Sequence, residues 1–130
     1  MMPFERFVDT LSPVQLVALD TAIQHVLSVR GIDLVRTEWL KAIGDGLHEF
    51  RVRHHANEIA RMFGGEAPTT KPAGERVLLS VFVHFHGDRV IVLLGGYDKG
   101  ADPKPRRQQR EITLARRMLT QFKARQRRTR

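Results

Sequence analysis

Cysteine is absent from the chain, which excludes disulfides, thiolate zinc sites and cysteine nucleophiles. Tryptophan and tyrosine occur once each. Long apolar runs are missing too. Val90 to Leu94 is typical of those present, and none is long enough to span a membrane. The opening Met1-Met2-Pro3-Phe4-Glu5-Arg6 lacks the basic region and apolar stretch of a secretion signal, so a cytoplasmic protein is the expectation. What is present, in 130 residues that are 42% hydrophobic and 28% charged, suits one domain that buries a core without staples.

Charge is distributed unevenly. Lys104 to Arg130 holds eleven lysines and arginines against one acid, Glu111, a net of +10. The first 103 residues hold eleven bases and thirteen acids, a net of −2. Basicity is therefore a C-terminal property of an otherwise balanced domain. Such a segment attracts phosphate backbones or an acidic protein; read structurally, it is a solvated tail that keeps the chain soluble.

Helix signals open the chain. Phe4 to Thr10 suits a short helix, and Leu11-Ser12-Pro13 starts a second, with Ser12 as N-cap and Pro13 at the first helical position. Val14, Val17, Ile23, Val26 and Leu27 continue at helical spacing until Gly31. The period then changes. Gly44-Asp45-Gly46 is a turn, and Leu47 to His54 alternates, with Phe50 and Val52 on one face and Glu49, Arg51 and Arg53 on the other. Val77 to Phe85 is a second strand. His86-Gly87-Asp88 turns the chain into Arg89 to Leu94, apolar on both faces as a central strand would be.

Between the first two strands, Ala56 to Phe63 suits one or two helical turns, and Gly65 to Glu75 is a Pro/Gly/Thr loop. From Arg106 the chain is helical again, with Ile112, Ala115, Met118, Leu119 and Phe122 on one stripe. The expectation is an α+β domain: an N-terminal helical hairpin and a C-terminal helix covering one face of a small antiparallel (mixed) sheet. It spans residues 1–124, with an insertion at 54–75 and a basic, frayed tail at 125–130.

Three pieces of the chain, in order, resemble the RelE/ParE toxin superfamily, nearest its phage-derived HigB-like branch. They are Gly44-Asp45-Gly46-Leu47-His48-Glu49-Phe50-Arg51-Val52-Arg53, the hairpin from Val81 to Leu94, and Gly96-Tyr97-Asp98-Lys99-Gly100 with the helix bearing Gln108-Gln109-Arg110-Glu111-Ile112 and Ala115-Arg116-Arg117. The resemblance covers over half the chain. It implies the toxin of a type II toxin–antitoxin pair, a ribosome-associated endoribonuclease that cuts messenger RNA without metal or cofactor. In such enzymes the substrate's own 2′-hydroxyl attacks the neighbouring phosphate, and basic side chains stabilise the charge that develops.

Strand by strand, the resemblance places Arg51 and Arg53 on the first core strand, Arg76 at the phosphate-binding arginine and Lys99 beyond the last strand. RNA contacts are expected of His54, Lys104, Arg106, Arg107 and Arg110. Better-studied members carry a tyrosine near the C-terminus as proton acceptor. Here that role could fall only to Tyr97, whose phenol would need cations such as Lys99 to lower its pKa from about 10. The family also begins with a strand, and this chain begins with helices. Implied partners are a small helix-turn-helix antitoxin, the ribosome and mRNA.

Other readings stand beside these. His54 could act as acid or base, or be an exposed strand-end residue. His84 and His86 point the same way along a strand and could in geometry bind a metal, but no third ligand stands at a recognisable spacing. Asn57 to Gly64 looks like the start of a helix-turn-helix, yet Pro68, Pro72 and Gly74 would break the recognition helix. On the same scaffold, a ParE-like inhibitor of DNA gyrase and a non-catalytic RNA-binding protein are the alternative functions.

Overall fold

The computed structural model describes residues 2–64 and 75–128. Helix α1 (Pro3–Asp9) leads into α2 (Pro13–Ala22). Ser12 caps α2 reciprocally: its hydroxyl accepts the Gln15 N–H at 3.2 Å, and Gln15 Oε1 accepts the Ser12 N–H at 3.0 Å. The helix runs on through a π-helical turn, Ile23–Leu27, into the short α3 (Ser28–Arg30), and ends at Gly31, where φ is +52°.

Four strands follow in a meander: β1 (Leu40–Gly44), β2 (Leu47–Val52), β3 (Leu79–His86) and β4 (Val90–Asp98), all antiparallel and ordered β1-β2-β3-β4. Helix α4 (Ala56–Phe63) fills part of the β2–β3 connection, and α5 (Pro105–Arg128) closes the chain. The rest of the expected insertion, residues 65–74, lies outside the described residues, as does any recognition helix after Asn57 to Gly64. Among the described residues, no helix is long and apolar enough to cross a membrane.

The α+β class holds, and the sheet is wholly antiparallel, but several expectations are corrected. β1 is a fourth strand that the sequence pattern does not announce. Asp45 and Gly46 both take positive φ, +56° and +84°, the conformation of a two-residue hairpin turn that requires a strand on each side. The last strand continues through Gly95-Gly96 to Asp98 and forms an edge rather than the centre of the sheet. A bulge allows this: Phe82 pairs with Gly95 while Val83 pairs with Leu93, leaving Leu94 as the extra residue. The C-terminal helix extends to Arg128, and residues 129–130 of the expected tail lie outside the described residues.

The largest correction concerns layers. Helices cover both faces of the sheet, not one. Phe50, Val52, Leu79, Val81 and Val83 pack with Phe7, Leu19, Val26, Leu27, Trp39 and Ile59 of the N-terminal side. Leu47, Phe82, Leu94 and Tyr97 pack on the opposite face against Ile112, Ala115, Met118 and Leu119 of α5. Consecutive buried residues in β3, Val81-Phe82-Val83, point alternately to the two faces and require cover on each. Helix α1 lies so close to β4 that a Cβ on Gly96 would stand 2.7 Å from the Phe7 ring and 2.9 Å from the Ser80 carbonyl oxygen. Only glycine fits that approach.

Candidate nucleic-acid interface

The face under α5 carries a polar row through its apolar packing. Arg51 pairs with Ser80, and Ser80 with Tyr97, so the three side chains stand side by side on adjacent strands, their Cβ atoms about 5 Å apart from one strand to the next. Glu49, on the face opposite Phe50 and Val52, is fully buried because α5 roofs that face. Its carboxylate is satisfied by two donors, Arg51 Nε at 3.1 Å and the Ser80 hydroxyl at 2.7 Å. Arg51 keeps 21% of its side chain exposed.

Tyr97 belongs to the same row. Its ring stacks on Phe82 at 6.3 Å, the Arg107 guanidinium lies 5.3 Å from its centre, and its hydroxyl donates to Gln108 Oε1 at 3.1 Å. The residue is only 1% exposed. Burial, and next the Glu49 carboxylate, push its phenol up to about 12, opposite to the lowering that a proton acceptor would need. Arg107 is itself held by Glu111 at 2.9 Å and Asp102 at 3.5 Å. A cavity of about 360 Å³ beside this group, between α1, the end of β4 and α5, is lined by Arg6, Tyr97, Asp98, Arg107 and Glu111 among others. Its two arginines face two carboxylates, so its charge is balanced.

Three further basic residues gather at the same end of the sheet. Arg53 lies one residue past β2, Arg76 three residues before β3, and Lys99 one residue past β4. Antiparallel pairing brings those strand ends together, and the Gly100 N–H bond to the Leu78 carbonyl (3.1 Å) ties the last two. Arg53 and Arg76 are exposed and Lys99 half-buried. Lys104, Arg106 and Arg110 are exposed on and just before the first turns of α5, over the same end.

His54 does not join them. It packs 5.5 Å from Trp39 on the opposite side of the sheet, between the carboxylates of Glu38 and Glu58, the latter at 3.4 Å. Nor is it an exposed strand-end residue, since it is half-buried and held by three neighbours. Glu58 also accepts the His55 N–H, which, with His54 beside it, lowers the Glu58 carboxyl below its ordinary range. Ser80, which completes the buried row, and the half-buried Gln108 of α5, which accepts from Tyr97, escape a reading by sequence. The signal available was a lone serine inside the apolar run Val77 to Phe85.

Helix α5 dominates the electrostatics. Its 24 residues hold nine bases and one acid, a net of +8, equal to the +8 of the whole chain. Arg106, Arg110, Arg117 and Arg128 are exposed at spacings of four, seven and eleven residues, which align on one helical face. The stripe from Ile112 to Phe122 faces the sheet on the other. The result is a cationic ridge about 33 Å long from Arg106 to Arg128. Comparison with family models, with curated proteins and with solved structures gives no match.

Proposed function

We propose that this protein is an RNA-directed toxin of the RelE/HigB-like kind, an endoribonuclease that cuts messenger RNA on the ribosome. One observation carries the reading: a net charge equal to that of the whole chain sits on α5, whose exposed Arg106, Arg110, Arg117 and Arg128 share one face. Such a ridge neutralises successive phosphates of a polyanion and binds without regard to sequence. At its N-terminal end Arg53, Arg76 and Lys99 add cations that engage the phosphates of the strand to be cut. Arg51, neutralised by buried Glu49, holds the row beneath them in place. A small antitoxin with acidic segments would silence the protein by covering this ridge.

The test is induced expression of the chain alone in a bacterial host, following growth and transcript 5′ ends together. Growth arrest with new 5′ ends inside coding regions is expected. The burial of Tyr97 favours one second reading, a non-catalytic RNA-binding protein, for which RNA is retained but no new ends appear. Arrest with intact transcripts and a DNA-damage response would point to gyrase inhibition instead.

A further inference from the structure

At the far end of the same face, four residues along β3 from Ser80 and about 13 Å away, a second group of side chains converges. His84 and His86 project from β3 with ring centres 6.2 Å apart, and both rings meet Phe122 of α5, at 6.1 and 5.2 Å. With Lys123, Gln126 and Arg127 they line a cavity of about 280 Å³. Two of its edges are tied to the β1–β2 turn: His84 Nδ1 donates to the Gly46 carbonyl at 2.8 Å, and Lys123 Nζ donates to the Asp45 carbonyl at 3.4 Å.

The chemistry of this cavity selects its ligand. A histidine pair alone could hold a divalent metal, but here an ammonium and a guanidinium share the lining and, among the described residues, no carboxylate does. Like charges oppose a dication, and the same charges attract a phosphate. The bond from Nδ1 to a carbonyl also sets the tautomer of the neutral His84 ring, leaving the lone pair on Nε2. A base of defined direction therefore stands beside a second imidazole and two cations.

We propose that His84, His86, Lys123 and Arg127 form a phosphodiester site for single-stranded RNA, with the two histidines as its proton-transfer pair. The assignment rests on the ribonuclease reading above and supplies the proton chemistry that buried Tyr97 does not. His84 Nε2 takes the proton of the 2′-hydroxyl as O2′ attacks phosphorus. The bond from phosphorus to O5′ breaks, and protonated His86 gives its proton to O5′. The products are a 2′,3′-cyclic phosphate and a 5′-hydroxyl end, with no water, metal or oxidant consumed. Lys123 and Arg127 meet the non-bridging oxygens, where charge builds in the transition state, and the Phe122 ring offers a base a surface to stack on. The ridge of α5 connects this cavity to the cations at the other end of the sheet.

The experiment adds the purified full-length chain to a reconstituted bacterial translation reaction containing one defined message, and separately to an unstructured RNA oligonucleotide. Cleavage sites and end chemistry are read for the unaltered chain and for His84→Asn, His86→Gln and the double variant Lys123→Ala/Arg127→Ala. Fragments with 5′-hydroxyl and cyclic-phosphate ends are expected, with the rate falling about 10²–10⁴-fold in each histidine variant. The double variant should need more RNA for half-maximal cleavage. Thermal unfolding checks each variant. Should loss of the Gly46 bond unfold His84→Asn, His86→Gln carries the test, because the His86 side chain is exposed. Cleavage at an unchanged rate by folded histidine variants would overturn this site and leave the ribonuclease reading standing. Intact RNA in both reactions with the unaltered chain would overturn that reading, and the catalytic pair with it.

Discussion

Glu49 and Arg51, two residues apart on β2, point to the same face of the sheet and meet at 3.1 Å beneath α5, the carboxylate wholly buried and the guanidinium reaching toward solvent. Their union converts an arginine with the look of a substrate ligand into a structural one. Arg51→Ala would leave the buried carboxylate with Ser80 as its one remaining donor among the described residues. Removing one partner of a buried pair costs roughly 3–5 kcal/mol, and the partial exposure of Arg51 places the expected loss at the lower end. Urea unfolding measures it. A midpoint equal to that of the unaltered chain would show that the pair contributes nothing to stability.

Arg53 and Lys99 stand in contrast, since neither is part of the buried row. Arg53→Ala and Lys99→Ala should each abolish growth arrest while both chains stay folded, and the exposed Arg53 site should change unfolding free energy by no more than about 0.5 kcal/mol, as surface substitutions usually do. Undiminished arrest from both variants would remove these residues from the proposed interface.

Tyr97→Phe separates chemistry from packing. The buried phenol donates one hydrogen bond, to Gln108, and losing it costs about 1 kcal/mol. Activity should persist, because a phenol whose pKa is pushed up to about 12 is a poor proton acceptor near neutrality. Complete loss of cleavage in a folded Tyr97→Phe chain would restore the tyrosine to the reaction.

His48 predicts the acid response of the fold. Its ring packs edge-on against Phe85 at 5.2 Å, and burial lowers its pKa below the ordinary 6.5, with nearby His84 adding to the shift. The folded state thus favours the neutral ring. Its contribution is fully present above pH about 6.5 and is lost as the pH falls toward the lowered folded value, because the unfolded chain binds the proton first. Thermal unfolding midpoints taken between pH 7.5 and 5 should decline, and His48→Phe should flatten that decline. An equal slope in both proteins would locate the acid sensitivity elsewhere.

Much of the fold is legible in residues close together in the chain. The reciprocal cap of Ser12 and Gln15 spans four residues, Asp45-Gly46 shows its turn by residue type, and the apolar stripe from Ile112 to Phe122 shows its helix by period. β1 is less legible. Only Leu40 is buried among its five residues, so this edge strand carries almost no alternating signal, and its pairing to β2 follows from the turn. The candidate site is legible in its residue types more than in its arrangement. Arg53, Arg76 and Lys99 come together because antiparallel strands bring their ends to one side of the sheet, whereas His54 goes to the other face with Trp39.

By itself the sequence determined the α+β class, the helix starts, the hairpin turns and the concentration of positive charge in the last helix, since each depends on periodicity, capping or composition within a few residues. Tertiary structure alone decided which face α5 covers. That choice buries Glu49 with Ser80, removes Tyr97 from solvent and brings His84 and His86 against Phe122, Lys123 and Arg127. The physical reason is that burial, and with it the pKa and partner of a polar group, is a property of what packs over it, and here the covering helix begins more than fifty residues after Glu49 in the chain.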